Sequence, residues 1–180
     1  MNRRYFLGVA LSTVAAPVTA SSFFSRRPTE RPRVLSFRHL HTDDLIEVTY
    51  RIGDTYQRSA LQRLNYFLRD FRTGEVAPID PRLFDILYDL KLSLGDPDAR
   101  FDLISAYRSP SSNAQLRKTS GGVARNSLHM RGQAVDVRLP DLSTRLLRDA
   151  AVALERGGVG YYRRSDFVHL DTGEVRTWGA

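Results

Sequence analysis

Two histidines and an aspartate carry the chemistry this chain can do. His129 and Asp136 lie in Ser127-Leu-His-Met-Arg-Gly-Gln-Ala-Val-Asp136, and His169 closes Asp166-Phe-Val-His169. Two imidazoles and a carboxylate make three protein ligands, the number a catalytic zinc keeps when its fourth position stays open. The chain holds four histidines and no cysteine, so few other metal sets can be built from it. Asp166, just ahead of His169, offers a carboxylate base beside the expected metal. A metal with an open position and an adjacent base is the minimum equipment for hydrolysis.

These residues need elements that bring them together. Gln133 to Leu139 reads as a strand, with Ala134 and Asp136 on one face and Val135 and Val137 on the other. Gly132 lets the chain turn, so that His129 returns over the strand to meet Asp136. Small Ala134 leaves space beside the carboxylate. Val159–Tyr162 and Phe167–Leu170 read as a hairpin around Arg163-Arg164-Ser165. In a strand, Phe167, His169 and Asp171 share a face. Asp171 either holds the His169 ring through its second nitrogen or begins the Asp171-Thr-Gly173 turn. Asp166 falls on the opposite face and reaches the metal only if the chain bends at Ser165-Asp166.

The rest of the pattern is scaffold. Val34–Phe37 and Leu45–Tyr50 flank a turn and suggest a hairpin, which carries His39 and His41. Those two are read as surface chemistry rather than ligands. Leu61, Leu64 and Leu68 recur at helical spacing. Asp80-Pro81 starts a second helix, closed by Gly95-Asp-Pro97. Phe101 to Ala106 reads as a strand, Asn113 to Lys118 as a short helix, and Thr119-Ser-Gly-Gly122 as a loop at a site mouth. Asp141 or Ser143 caps a helix that runs to Glu155. The pattern is α+β, with helices packed on a small, mainly antiparallel sheet.

The first twenty residues read as an export signal. Arg3-Arg4 precede an apolar run, Val9 to Val18, too short to span a bilayer, and Val18-Thr19-Ala20 offers a cleavage site. Arg3-Arg4-Tyr-Phe-Leu resembles the twin-arginine signal. Residues 21–32 read as a flexible leader and 33–180 as the folded domain. Removing two arginines leaves 25 basic against 20 acidic residues, or +5. A basic surface outside the cytoplasm suits an anionic wall polymer or lipid headgroups. Nucleic acid is not an expected partner, and contact with a membrane is expected only in passing, through the signal.

Three separated blocks also agree in order and spacing with a known family. Ser105-Ala-Tyr-Arg-Ser109, Ser127 to Asp136, and Phe167-Val-His-Leu-Asp-Thr-Gly173 resemble the zinc D-Ala-D-Ala peptidase superfamily, and within it the murein endopeptidase K group. The resemblance implies the small α+β fold shared with the hedgehog signalling domain. It implies His129, Asp136 and His169 as ligands of one Zn²⁺. It implies Arg108 as the arginine that steadies substrate charge, and Asp166 where the dipeptidase branch has a glutamate base. The expected activity is endopeptidase cleavage of peptidoglycan stem-peptide crosslinks in the periplasm or cell envelope. Two other readings stay open: a zinc-containing module that binds wall peptide without cutting it, and a D-Ala-D-Ala carboxypeptidase or dipeptidase.

Overall fold

The computed structural model describes residues 31–120 and 122–179. The expected signal, the leader up to residue 30, and Gly121 lie outside that range. Pro32, placed by sequence in the leader, already opens the first strand, β1 (Pro32–His39). β1 pairs antiparallel with β2 (Leu45–Ile52), the hairpin expected from sequence, and β2 pairs with the short β3 (Thr55–Tyr56). Two helices follow, α1 (Arg58–Phe67) and α2 (Pro81–Ser93). Asp80 caps α2 by accepting from the Arg82 N–H, and Pro81 fills the first turn, where no donor is missed.

β4 (Arg100–Ser105) leads into α3 (Pro110–Thr119). A single 3-10 turn, Leu128–Arg131, then precedes β5 (Ala134–Arg138). α4 (Thr144–Ala153) is capped by Ser143, and β6 (Gly158–Tyr162), β7 (Phe167–Asp171) and β8 (Arg176–Trp178) complete the chain. The strands form one sheet in the order β3-β2-β1-β4-β5-β7-β6-β8. Only β1 with β4 and β6 with β8 run parallel; the other neighbours are antiparallel. The expected α+β architecture is therefore what the chain adopts.

The core is where the alternation of the strands places it. Leu35, Phe37, Phe101, Leu103, Val135, Val137 and Val168 are fully buried, as are Leu64 of α1, Leu83 and Leu87 of α2, and Leu147 of α4. Asp85 of α2 is the main polar tie through this side of the molecule. It accepts from Tyr50 at 2.9 Å, Tyr56 at 2.5 Å, Arg51 at 2.9 Å and Arg33 at 3.2 Å, so strands β1 to β3 are all anchored to α2. A buried carboxylate this well satisfied keeps its charge. Among the described residues, no helix is long and apolar enough to cross a membrane.

Candidate active site

Register explains how two of the three expected ligands meet. β5 and β7 are antiparallel neighbours, with Asp136 directly opposite His169 and Ala134 opposite Asp171. Directly opposed residues hold their Cβ atoms within about 5.5 Å of one another. His129 arrives from the 3-10 turn. Ser127 caps that turn by accepting from the His129 N–H, and Gly132 ends it in the left-handed region at φ 65°. A Cβ on Gly132 would sit 2.1 Å from the Pro78 carbonyl oxygen, so only glycine lets the turn dock there. The Arg108 N–H donates to the His129 carbonyl at 3.2 Å and ties the turn to the end of β4.

The hydrogen bonds then orient both rings. His129 Nδ1 lies 2.7 Å from the Ala106 carbonyl, an atom that only accepts, so this nitrogen carries the proton. His169 Nε2 lies 3.1 Å from Asp171 Oδ2 and carries its proton in turn. That leaves His129 Nε2 and His169 Nδ1 facing each other at 3.1 Å. Asp136 Oδ1 stands 3.3 Å from the first and 2.9 Å from the second. With His169 neutral, three acceptors converge, and they repel unless a cation or a proton stands among them. His129, Asp136 and His169 form a buried group able to hold a metal ion. The donor set, two nitrogens and one oxygen, is one that zinc accepts.

The electrostatics follow from burial and these contacts. Burial opposes the charge on Asp136, but His129 and His169 hold it well below the usual carboxylate range. Burial also pushes His129 down. Burial alone would lower His169 too, yet its bonds to Asp136 and Asp171 outweigh that and raise it to about 9. In the metal-free protein a proton on His169 therefore stands in for the cation. Asp171 is fully buried and is itself held by Arg176 and the N–H groups of Gly158 and Gly173. Of its two readings from sequence, the structure shows both: it orients His169 and begins the turn.

The site opens into a cleft of about 600 Å³. Arg108 lines it, buried, with Nη2 3.6 Å from Asp136 Oδ2 and with Nε lacking any partner among the described residues. Ile104 and Ser105 both line the cleft because the β4–β5 register shifts between Leu103 and Ser105, a bulge of the kind that re-aims side chains beside sites. His169 also packs against Trp178, with ring centroids 5.1 Å apart.

Asp166 is the residue the structure does not bring in. The chain does bend there, with Asp166 in the left-handed region at φ 53°. The bend points the carboxylate elsewhere, to Arg138 at 3.2 Å and Thr144 at 3.0 Å, and its side chain stays 60% exposed. Ser165 and Phe167 line the cleft; Asp166 does not. Arg138, the last residue of β5, and Thr144, the first of α4, hold the carboxylate away from the metal group. His39 and His41 do not belong to the metal group, but the surface reading is corrected for His39, which packs inside the fold, and His41 lines the cleft. His39 is buried and pushed down to about 4 by burial and then by the charges of His41 and Arg69.

Sequence reasoning passed over Trp178, Asp70 and Arg72. Trp178 belongs to β8, whose pairing with β6 is long-range in character. Asp70 is fully buried and binds the N–H groups of both Arg72 and Ser109. Its signal was faint, since nothing local marks a carboxylate whose partner lies 39 positions away.

A small α+β domain with this buried His/Asp/His centre beside an arginine-lined cleft is the design of a peptidase of the D-Ala-D-Ala peptidase superfamily. The family model Peptidase_M15_2, described as peptidoglycan L,D-endopeptidase MepK, matches residues 27–178, and the chain belongs to that family. The match spans every site residue described above. The chain is 43% identical over 180 residues to the peptidoglycan L,D-endopeptidase MepK of Escherichia coli K12, covering 98% of this chain and 97% of that one. The MepK of Shigella flexneri is similar to the same degree. The probable MepK of Haemophilus influenzae is 36% identical over 177 residues, covering 98% of this chain and 95% of its own.

Proposed function

We propose that this chain is a zinc-dependent peptidoglycan endopeptidase that hydrolyses L,D peptide crosslinks of the bacterial wall. The observation that carries the reading is the set of three converging acceptors, His129 Nε2, His169 Nδ1 and Asp136 Oδ1, at the floor of an open cleft. The L,D bond is taken from the activity named for the relatives. His129, Asp136 and His169 would hold one zinc, which supplies Lewis-acid polarisation of the amide and a water acidified to a pKa of about 7.

The chain's own residues do the rest. Asp171 and the Ala106 carbonyl keep both rings in the tautomers that bind metal. Arg108 is buried and presents an unpartnered Nε to the cleft, where a fixed donor stabilises the oxygen charge that develops at the scissile carbonyl. Asp166 is the proposed base, accepting the proton of the attacking water and returning it to the leaving amine. To act it must leave Arg138 and Thr144. Exposed pairs of this kind are worth about 0–1 kcal/mol, and catalytic hydrogen bonds often tighten only with substrate bound.

The test is incubation of the purified protein with crosslinked muropeptides, followed by mass analysis. Cleavage at an L,D crosslink is expected. Release of a terminal D-alanine alone would assign the carboxypeptidase reading, and binding without cleavage the binding-module reading.

We further propose export to the periplasm or cell envelope. Arg3-Arg4 followed by Tyr-Phe-Leu supports the twin-arginine route, and residues 1–20 lie outside the described structure. Changing Arg3 and Arg4 to lysine should then stop export. Maturation of the precursor at the parent rate would assign an ordinary secretory signal instead.

A further inference from the structure

A second arginine, Arg72, lines the same cleft as Arg108. Arg72 sits in the connection between α1 and α2, far from Arg108 in sequence. One buried carboxylate fixes both segments. Asp70 Oδ1 accepts from the Arg72 N–H at 3.0 Å, and Asp70 Oδ2 accepts from the Ser109 N–H at 2.9 Å, next to Arg108. The Tyr107 N–H adds a bond to the Leu68 carbonyl at 3.0 Å. The two arginine-bearing loops are therefore clamped as one unit.

The Arg72 side chain is also placed before any ligand arrives. Its guanidinium lies 4.1 Å over the Phe71 ring, and His41 stacks on Phe71 at 4.0 Å and 13°. Guanidinium planes stack well on aromatic faces and keep their donor fork free. Among the described residues no carboxylate pairs with Arg72. Among the described residues Arg108 has only Asp136, at 3.6 Å, as a charged partner, and its buried Nε has none. Two cations are thus held near each other with donors unused, an arrangement that an incoming anion relieves.

We propose that Arg72, beside Arg108, forms a carboxylate-binding subsite, which selects stem peptides carrying a free carboxylate next to the crosslinking amide. Arg72 is then a specificity-determining residue. It grips the carboxylate through its fork while the amide lies over the metal group. The substrate class rests on the peptidase reading above; the preference for an anion rests on Arg72.

The test is titration calorimetry with the zinc-loaded full chain and a synthetic stem peptide that has no crosslink to cut. The peptide is used in free-acid and carboxamide forms. The parent should bind the acid about tenfold or more tightly than the amide, as expected for a charge-assisted pair. Arg72→Ala should bring the ratio close to one, and Arg72→Lys should keep part of it, since lysine preserves charge but not the fork. With crosslinked acid substrate, Arg72→Ala should raise KM and leave kcat close to the parent value. An Arg72→Ala ratio equal to the parent's, or a parent that binds acid and amide alike, overturns the subsite. A parent that prefers the acid but never cleaves crosslinked peptide overturns the peptidase reading and leaves the subsite standing.

Discussion

At the scale of single residues, the site is defined by where its protons are held. The Ala106 carbonyl and Asp171 each claim one imidazole N–H, so the remaining nitrogens turn toward Asp136, where a cation or, on His169, a proton balances its charge. This orientation was only half legible in the sequence. The types and spacing of His129, Asp136 and His169 marked a metal set, whereas the Ala106 carbonyl, being backbone, leaves no residue signature. Asp166 shows the opposite failure. Its position before His169 was informative, but its direction depended on Arg138 and Thr144, which lie 28 and 22 positions away. Asp166→Asn keeps the size and removes the basic carboxylate. We expect the zinc content to match the parent and hydrolysis to fall by roughly 10²–10⁴, the usual share of a general base. Cleavage at the parent rate would remove Asp166 from the mechanism.

At the scale of elements, the sheet does the positioning. Antiparallel β5 and β7 set Asp136 against His169, and β6 sets Gly160 on the other side of His169. The hairpin of β6 and β7 could be read from its β-favouring runs and the arginine turn between them. β8 could not, because three residues after a turn carry no periodicity and their parallel pairing is specified from outside. The start of α3 was readable but was placed too late. Ser109-Pro110 is the same kind of signal as Asp80-Pro81, and Ser109 does cap the helix by accepting from the Ser112 N–H. Gly160 shows how closely β8 is fitted. A Cβ there would lie 2.5 Å from the Trp178 ring. Gly160→Ala should therefore push Trp178 off His169 and loosen β8. The expected readings are a shift in tryptophan fluorescence and a lower melting temperature, consistent with an overpacking cost of about 1–3 kcal/mol. An unchanged emission spectrum would show that Trp178 is not seated as described.

At the scale of the whole molecule, metal, proton and fold are linked through His169. Its raised pKa, about 9 in the metal-free protein, exceeds the unfolded value of about 6.5. A raised value means that protonation stabilises the fold. That contribution is fully present below about pH 6.5 and is lost as the pH rises through about 9. Calorimetry of chelated protein should show the melting temperature falling across this window from the His169 contribution. On the proposed ligand set zinc displaces the same proton, so its apparent affinity should rise by about tenfold per pH unit over that range. A flat affinity profile would mean that His169 is not a ligand.

The most direct measurement of the central claim is a zinc add-back titration. Protein stripped by chelator is given zinc in steps, while bound metal and cleavage of crosslinked muropeptides are followed together, with His129→Ala alongside. Activity should be absent without metal, rise in proportion to bound zinc, and level off at about one zinc per chain, the stoichiometry of a three-ligand site, while His129→Ala holds little zinc and stays inactive. Crosslink cleavage that persists in fully stripped protein, or that fails to appear with one zinc bound, would contradict a zinc-dependent endopeptidase built on His129, Asp136 and His169.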